Sequence, residues 1–155
     1  MTGCNSTETP TETNLKLRNC DEEAATDETI FRQIVGSLRY LCHSRPEICY
    51  GVGVISRFMS KPKYSHMLAS KRILRYLKAT LNYDIVFPHQ DEKTRSQLMA
   101  YTNSDWCGDI LDRKSTMGYV FLIGGVPISW CSKKQKVVPL SIYEAGYIDA
   151  CATTC

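Results

Sequence analysis

The apolar residues of this chain change their spacing once, near Asn82, and this change constrains the fold more than any other feature. Between about residues 28 and 81, apolar side chains recur every three to four positions, which is typical of amphipathic helices. Beyond Asn82 the apolar runs are short, β-branched or aromatic, and separated by turn formers, which is typical of strands. The sequence therefore predicts an α+β fold, with an N-terminal helical segment followed by an antiparallel sheet.

Three helices are predicted in the first part. One covers about residues 28–43, with Asp27 as its N-cap. A second opens at Pro46, since proline lacks the amide hydrogen that goes unpaired in a first helical turn. A third runs from about Tyr64 to Leu81. The predicted apolar stripes are Ile30, Ile34, Leu38 and Leu41 in the first helix and Tyr64, Leu68, Leu74, Leu77 and Leu81 in the third, which also carries a basic stripe of Lys71, Arg72, Arg75 and Lys78.

Strand signals dominate the second part of the chain. The segments YDIVF, SQLMAYT, GYVFLIG and VPISWCS are predicted to be strands. The Gly124-Gly125 pair lies between the last two and predicts a tight hairpin. Ser141 opens a final helix as its N-cap, and Glu144 three residues later gives the pattern of a capping box.

The net charge of +3 is unevenly distributed along the sequence. Residues 1–29 hold seven acids and two bases, a net of −5, whereas residues 30–155 hold seventeen bases and nine acids, a net of +8. The pattern predicts an acidic, flexible leader over residues 1–27 in front of a basic body. Such a body suits a polyanion such as nucleic acid, although the same charge also suits plain solubility.

Compartment and metal content are constrained by the cysteines and the N-terminus. The opening MTGCNSTETPTETN lacks the apolar core of a secretory signal, so an intracellular protein of the cytoplasm or nucleus is predicted. No apolar run approaches the ~20 residues needed to cross a bilayer, so no membrane partner is predicted. The cysteines are expected to be reduced thiols, and without a CxxC pair no zinc site is predicted. They are Cys4, Cys20, Cys42, Cys49, Cys107, Cys131, Cys151 and Cys155.

Two long stretches, residues 31–87 (FRQIVGSLRYL to YDIVF) and residues 101–150 (YTNSDWCGD to EAGYIDA), resemble the Pol polyprotein of copia-type LTR retrotransposons. The resemblance implies that residues 28–82 are a helical reverse transcriptase tail or connection. It implies that residues 83–155 are the N-terminal part of an RNase H domain. The expected fold of that part is a truncated RNase H-like antiparallel sheet with one incomplete C-terminal helix.

RNase H chemistry in this family uses two divalent cations, held by clustered carboxylates. The family's sequence is YSDADWAGD where this chain has YTNSDWCGD, and it is STEAEYIA at the last helix. The resemblance therefore implies that Asn103 and Gly146 occupy two of the metal-ligand positions. Magnesium prefers anionic oxygens, and the two remaining carboxylates would lie beyond residue 155, so neither enzymatic activity nor a cofactor is predicted. Asp105, Asp109 and Glu144 are not expected to replace the lost ligands, and the first two are interpreted as solvent-exposed turn acids.

Nucleic-acid binding remains as a predicted function. The family carries SKKQKVV before the last helix, and this chain keeps Lys133, Lys134 and Lys136. Together with the basic stripe of the third helix, these lysines are predicted to hold phosphates of an RNA–DNA hybrid or another nucleic acid. The truncated sheet also predicts self-association through an exposed edge.

Two alternatives stay open at this stage. The sequence RILR, Arg72 to Arg75, satisfies the RxLR pattern of effector proteins that oomycetes secrete into host cells, although it lies inside a predicted amphipathic helix. The other alternative is a translated remnant without a selected function, for which poor folding and aggregation are expected.

Overall fold

The computed structural model describes residues 3–13, 15–87 and 97–154 of the chain. It divides into two compact units, Met1–Tyr83 and Asp84–Cys155. Within the described residues, the first unit contains three α-helices and the second contains a three-stranded antiparallel sheet and a fourth helix. The predicted α+β class is therefore confirmed. None of the helices in this described part is long and apolar enough to cross a membrane.

The first unit is built from helices whose starts follow the sequence signals. The Asp27 carboxylate accepts the Ile30 N–H at 3.0 Å, which confirms the predicted N-cap. Pro46 begins a 3-10 turn, so the predicted second helix starts there, but it is divided into three short pieces. The elements are α1 (Glu28–Leu41), a 3-10 turn (Pro46–Ile48), α2 (Cys49–Ile55), a second 3-10 turn (Ser56–Phe58) and α3 (Tyr64–Ala79).

The face of α1 that packs in the core matches the predicted stripe only in part. Of the predicted residues, Leu38 is fully buried and Ile34 and Leu41 pack against the core. Ile30 is half exposed, whereas its neighbour Phe31 and Val35 are fully buried. Because apolar residues occupy neighbouring positions 30, 31, 34 and 35, two adjacent helix faces both fit the 3.6-residue period. Only the tertiary partners select between these faces, and they select the one with Phe31.

The stripe predicted for α3 is also rotated. Met67 and Ile73 are buried in the core, although neither belonged to the prediction. Of the predicted residues, Leu77 is buried, but Tyr64 is 54% and Leu81 is 74% exposed. The helix ends at Ala79, so Leu81 lies beyond its last turn and outside its apolar face.

Close packing of α2 against α3 depends on Gly51. A Cβ atom built on Gly51 would lie 3.2 Å from Cδ1 of Ile73 and 2.7 Å from Cγ2 of Thr11. A side chain at this position would therefore force its neighbours apart. Since Thr11 belongs to the acidic leader, the same contact shows that the leader packs beside these helices.

His66 anchors the start of α3 and is fully buried. Its Nδ1 accepts the Lys63 N–H at 2.9 Å, its Nε2 lies 3.0 Å from the Arg18 carbonyl, and its ring stacks on Phe58 at 3.9 Å. Burial lowers the pKa of His66, against smaller opposing effects of the Arg18 carbonyl and Glu23. These bonds fit the neutral tautomer with its hydrogen on Nε2.

The acidic leader supplies further caps to α3. The Glu23 carboxylate accepts hydrogen bonds from the N–H and hydroxyl of Ser65, in the first turn of α3. Ala25 also forms an isolated antiparallel bridge with Lys63. The flexibility predicted for residues 1–27 stays a prediction, but the described part of this segment makes specific contacts with the helices of its own unit.

The second unit is a meander of three antiparallel strands in the order β1-β2-β3. Gly124 and Gly125 join the last two strands with φ of 56° and 81°, which confirms the hairpin and shows a turn that needs left-handed backbone at both positions. The elements are β1 (Leu98–Ser104), β2 (Thr116–Ile123), β3 (Val126–Lys134) and α4 (Ile142–Thr154).

Two segments of the second unit differ from the strand predictions. The strand prediction for YDIVF, residues 83–87, is wrong, because this described segment takes no strand conformation and Val86 is 75% exposed. The strand predicted from SQLMAYT begins at Leu98 in the structure, and Ser96 lies outside the described residues. At α4 the Ser141 hydroxyl accepts the Glu144 N–H at 3.1 Å, whereas the Glu144 carboxylate accepts from Leu140.

Candidate nucleic-acid interface

The two positions where the resemblance implies metal ligands lie on β1 and α4. Asn103 is exposed near the end of β1, where it pairs with Gly118 of β2. Gly146 is exposed in the second turn of α4, and a Cβ built there would meet no atom within 4 Å. An amide and a hydrogen atom therefore stand where carboxylates would be needed to hold a divalent cation.

Two acids that closely follow Asn103 in the sequence already have other partners. Asp105 Oδ1 accepts the Thr116 N–H at 2.5 Å, and the following loop wraps so closely that a Cβ on Gly108 would lie 2.0 Å from Asp105 Oδ2. Asp109 has a side chain only 8% exposed, and its Oδ2 lies 2.6 Å from Lys134 Nζ. The interpretation of both as solvent-exposed turn acids is wrong, because both carboxylates hold the loop between β1 and β2.

The donor set does not fit a pair of magnesium ions. Magnesium demands several well-placed anionic oxygens. Across residues 3–13, 15–87 and 97–154, no three His, Cys, Asp or Glu side chains come together in a group that could hold a metal. At the implied positions Asn103 supplies one neutral oxygen and Gly146 supplies none.

A buried acid in α4 was not foreseen from the sequence. Asp149 is fully buried, and neither of its carboxylate oxygens makes a hydrogen bond of normal geometry. Burial raises the pKa of Asp149, and the nearby Thr102 hydroxyl and Gly118 backbone offset this only in part. The signal available in the sequence was its spacing, since Asp149 lies four residues after the buried Ala145 on the same helix face.

The basic residues of α3 are partly covered by the leader. Arg72 Nη1 lies 3.2 Å from the Glu12 carboxylate, and Lys78 Nζ donates to the Cys4 carbonyl at 3.1 Å. Lys71 is exposed, whereas Arg75 is half-buried and lines a cavity of about 270 Å³ with Arg72. The four side chains therefore do not form one open cationic face, and their role in binding stays a prediction.

The lysines of the second unit are more accessible. Lys133 and Lys136 are exposed at the end of β3 and just beyond it. Lys134 is engaged, because its Nζ lies 2.6 Å from Asp109 and 2.8 Å from Asp112. Burial is the largest single effect and would raise the pKa of Asp112, but the hydrogen bonds from Lys134 and the Lys114 N–H, together with the charge of Lys134, lower it. Lys134 therefore has a structural role, whereas Lys133 and Lys136 are accessible to solvent.

The RILR motif lies within α3 and contributes to its core. Ile73 is 1% exposed and belongs to the hydrophobic cluster of the first unit, while Leu74 packs against that cluster. Arg72 bonds to the leader through Thr9 and Glu12. The residues of the RILR pattern therefore fit their places in an amphipathic helix, independently of any role in host targeting.

Comparisons with known proteins place the chain among transposon proteins. It is 45% identical over 139 residues to the retrovirus-related Pol polyprotein from transposon RE1 of Arabidopsis thaliana and 42% identical to that from transposon RE2. These matches cover 90% of this chain and 9% of each polyprotein, so the chain spans about a tenth of their length. It is also 42% identical over 115 residues to the secreted RxLR effector protein 161 of Plasmopara viticola, covering 74% of this chain and 79% of that protein.

No family model and no solved structure matches the chain. The chain is thus similar to a short stretch of several transposon-encoded polyproteins. The chain belongs to the copia-type family of retrovirus-related Pol polyproteins.

Proposed function

We propose that the chain is a degenerate copia-type Pol segment without reverse transcriptase or RNase H activity that binds nucleic acid weakly. In this proposal residues 28–82 correspond to the reverse transcriptase tail or connection and residues 83–155 to part of an RNase H-like domain. One observation carries it: Asn103 and Gly146 stand at the implied ligand positions while Asp105 is held by the Thr116 backbone. Two-metal hydrolysis needs carboxylates at those positions, and the described residues contain no group of three or more His, Cys, Asp or Glu side chains that could hold a metal.

The binding part of the proposal rests on the accessible lysines. Lys133 and Lys136 lie close together in sequence on either side of the structural Lys134, and both are exposed. Contacts between such lysines and phosphates release counterions, so binding would be independent of sequence and would weaken steeply with salt. A hybrid duplex is therefore a suitable probe.

The catalytic part is tested with a labelled RNA–DNA hybrid and magnesium or manganese. The natural chain is compared with a variant carrying Asn103→Asp and Gly146→Glu, which restores both implied carboxylates. The open space around Gly146 accommodates a glutamate, and replacing a helical glycine is expected to stabilise α4 by about 0.5–1 kcal/mol. No cleavage by the natural chain is expected, and cleavage by it would overturn the proposal.

Binding is tested on the same hybrid without metal. The variant Lys133→Ala/Lys136→Ala is expected to bind less and to lower the slope of log K against log salt by about 1–2, since each phosphate contact contributes roughly 0.9. Lys134→Ala is the matched control, because its ammonium is engaged by Asp109 and Asp112. Absence of binding by the natural chain at about 50 mM salt would contradict the proposal.

A second function, that of a secreted effector, is favoured by one observation. The relative named as a secreted RxLR effector is matched over 79% of its length, and this chain carries the Arg72–Arg75 motif. If the motif acts in host targeting, Arg72→Ala/Arg75→Ala should reduce entry into host cells while the fold persists. If the motif serves only folding, uptake should fall only in variants that have lost stability.

Two remaining hypotheses are tested in solution. In the described part of the chain β1 and β3 each pair only with β2, so both have an outer edge that suits the predicted self-association. Size-exclusion chromatography at rising concentration tests this association. A functionless remnant is expected to aggregate on heating, whereas a cooperative, reversible melt at micromolar concentration would argue against it.

A further inference from the structure

Two cysteines meet at the junction of α1 and α2. Cys42 caps the C-terminus of α1, where its N–H donates to the Leu38 carbonyl at 3.1 Å, and Cys49 is the first residue of α2. The Cys49 sulfur lies 3.7 Å from the Cys42 carbonyl oxygen and 3.8 Å from that of Arg45. The turn between the helices therefore holds the Cys49 sulfur against Cys42.

The surroundings of this pair favour the thiolate of Cys42. The hydrogen bond from Cys49 is the largest effect that lowers the pKa of Cys42, and the Arg39 guanidinium lowers it further. Burial and the Glu47 carboxylate act in the opposite direction but do not cancel these effects. The Arg45 guanidinium adds little, because it is bound to Glu47 at 2.5 Å. Since the thiolate is the nucleophilic form, Cys42 is the reactive member of the pair.

Access to the pair is adequate for a small molecule. Both residues are only partly buried, and all seven cysteines within the described residues are outside disulfides, while Cys155 lies beyond those residues. The copia Pol relationship assigns no role to these thiols, and neither does the proposed nucleic-acid binding. The approach of Cys49 to Cys42 is thus a separate feature of the first unit.

We propose that Cys42 and Cys49 form a redox pair that hydrogen peroxide converts into a disulfide. The Cys42 thiolate attacks one peroxide oxygen, an S–O bond forms, the O–O bond breaks, and the departing hydroxide takes a proton to become water. The deprotonated Cys49 sulfur then attacks the sulfenic acid of Cys42, so that an S–S bond forms and hydroxide leaves as a second water. Two thiols and one peroxide thus give one disulfide and two waters, with sulfur oxidised and peroxide oxygen reduced.

The product would link the end of α1 to the start of α2 across a seven-residue step, joining the Cys49 sulfur to a residue whose carbonyl oxygen it already approaches. A dithiol such as dithiothreitol would reverse it by thiol–disulfide exchange. Oxidation would therefore act as a reversible staple within the first unit rather than as damage.

Mass spectrometry of the whole chain tests the proposal. The protein is treated with hydrogen peroxide, its remaining thiols are blocked with N-ethylmaleimide, and it is digested with trypsin. Trypsin does not cleave the bond between Arg45 and Pro46, so both cysteines stay in one peptide, residues 40–57. This peptide is expected to become two hydrogens lighter and unlabelled, and to recover both labels after dithiothreitol.

Matched variants separate the two roles of Cys49. Cys49→Ser keeps a hydrogen-bond donor but cannot form the disulfide, so dimedone is expected to trap a sulfenic acid at Cys42. Cys49→Ala removes the donor as well, so Cys42 is expected to react several-fold more slowly. The exposed Cys20 and Cys151 serve as references within the same protein.

Three results would overturn the proposal. They are labelling of both cysteines after peroxide, oxidation of Cys20 and Cys151 before the pair, and equal Cys42 reactivity in Cys49→Ser and Cys49→Ala. Far-ultraviolet circular dichroism of each variant establishes that it is folded before its thiols are compared. None of these measurements depends on nucleic-acid binding, so the redox proposal and the proposed function fail independently.

Discussion

Replacing Ile73 by alanine tests the packing of the first unit most directly. Ile73 is 1% exposed and approaches Gly51, although its α3 stripe was predicted from other residues. The change removes three carbon atoms worth about 0.8 kcal/mol each, or about 2.4 kcal/mol in transfer free energy. A residual cavity raises the total into the range of about 2–5 kcal/mol. Because Ile73 already borders a cavity of about 270 Å³, we expect the lower half of this range.

Urea unfolding followed by far-ultraviolet circular dichroism measures this cost. With a slope of about 1–3 kcal/mol per molar urea, a loss of about 2–3 kcal/mol lowers the midpoint by roughly 1 M. Leu81→Ala is the matched control, since Leu81 is 74% exposed and its loss should cost under about 0.5 kcal/mol. Trp106 and Trp130 both lie in the second unit, so their fluorescence reports on that unit separately. Equal costs for Ile73→Ala and Leu81→Ala would refute the observed helix face.

Three further predictions concern single residues. The lowered pKa of His66 means that the unfolded chain binds the extra proton more readily, so the free energy of unfolding should fall as pH drops below 6.5. His66→Gln should lose this dependence in urea titrations between about pH 5 and 7, and an unchanged profile would exclude His66 as its source. The raised pKa of Asp149 gives the opposite pH dependence, since the free energy of unfolding should fall as pH rises above 3.8. Asp149→Asn should therefore have a higher melting temperature than the natural chain at about pH 7, and a smaller increase at about pH 3. A lower melting temperature of the variant at pH 7 would show that the carboxylate is well paired. Gly124→Ala should lower the free energy of unfolding by about 1–2 kcal/mol because Gly124 has a φ of 56°. Gly36→Ala, in an open part of α1, should raise it by roughly 0.5–1 kcal/mol. Thermal melts that give equal effects for the two variants would contradict the left-handed turn.

Local signals in the sequence located the elements but not their orientation. Asp27, Pro46 and Ser141 mark helix starts through bonds or dihedral limits that act within four residues, and the structure keeps all three. The faces of α1 and α3 depend on partners far along the chain, so periodicity alone allowed the wrong neighbour to be chosen. The segment YDIVF failed for the same reason, since a strand exists only where another strand accepts its hydrogen bonds.

The candidate site was predictable only in part. Family resemblance pointed to residues 103 and 146, which the structure places at exposed positions on β1 and α4. The engagement of Asp109 by Lys134 joins residues 25 positions apart, which no local pattern reveals. The contact between Cys42 and Cys49 was missed because a turn with 3-10 hydrogen bonds, rather than a spacing motif, brings the Cys49 sulfur to Cys42.

The leader's contacts with α3 also constrain how the first unit is made on the ribosome. Glu23 meets Ser65, which is 42 residues later, and Arg72 meets Glu12 across 60 residues. At a synthesis rate of about 5–20 residues per second, the leader emerges roughly 2–12 s before these partners exist. During that interval Glu12 and Glu23 lack these α3 partners, so the unit cannot close until α3 has left the exit tunnel. Chain elongation speed, rather than helix formation, would then set when this part of the protein becomes resistant to proteases.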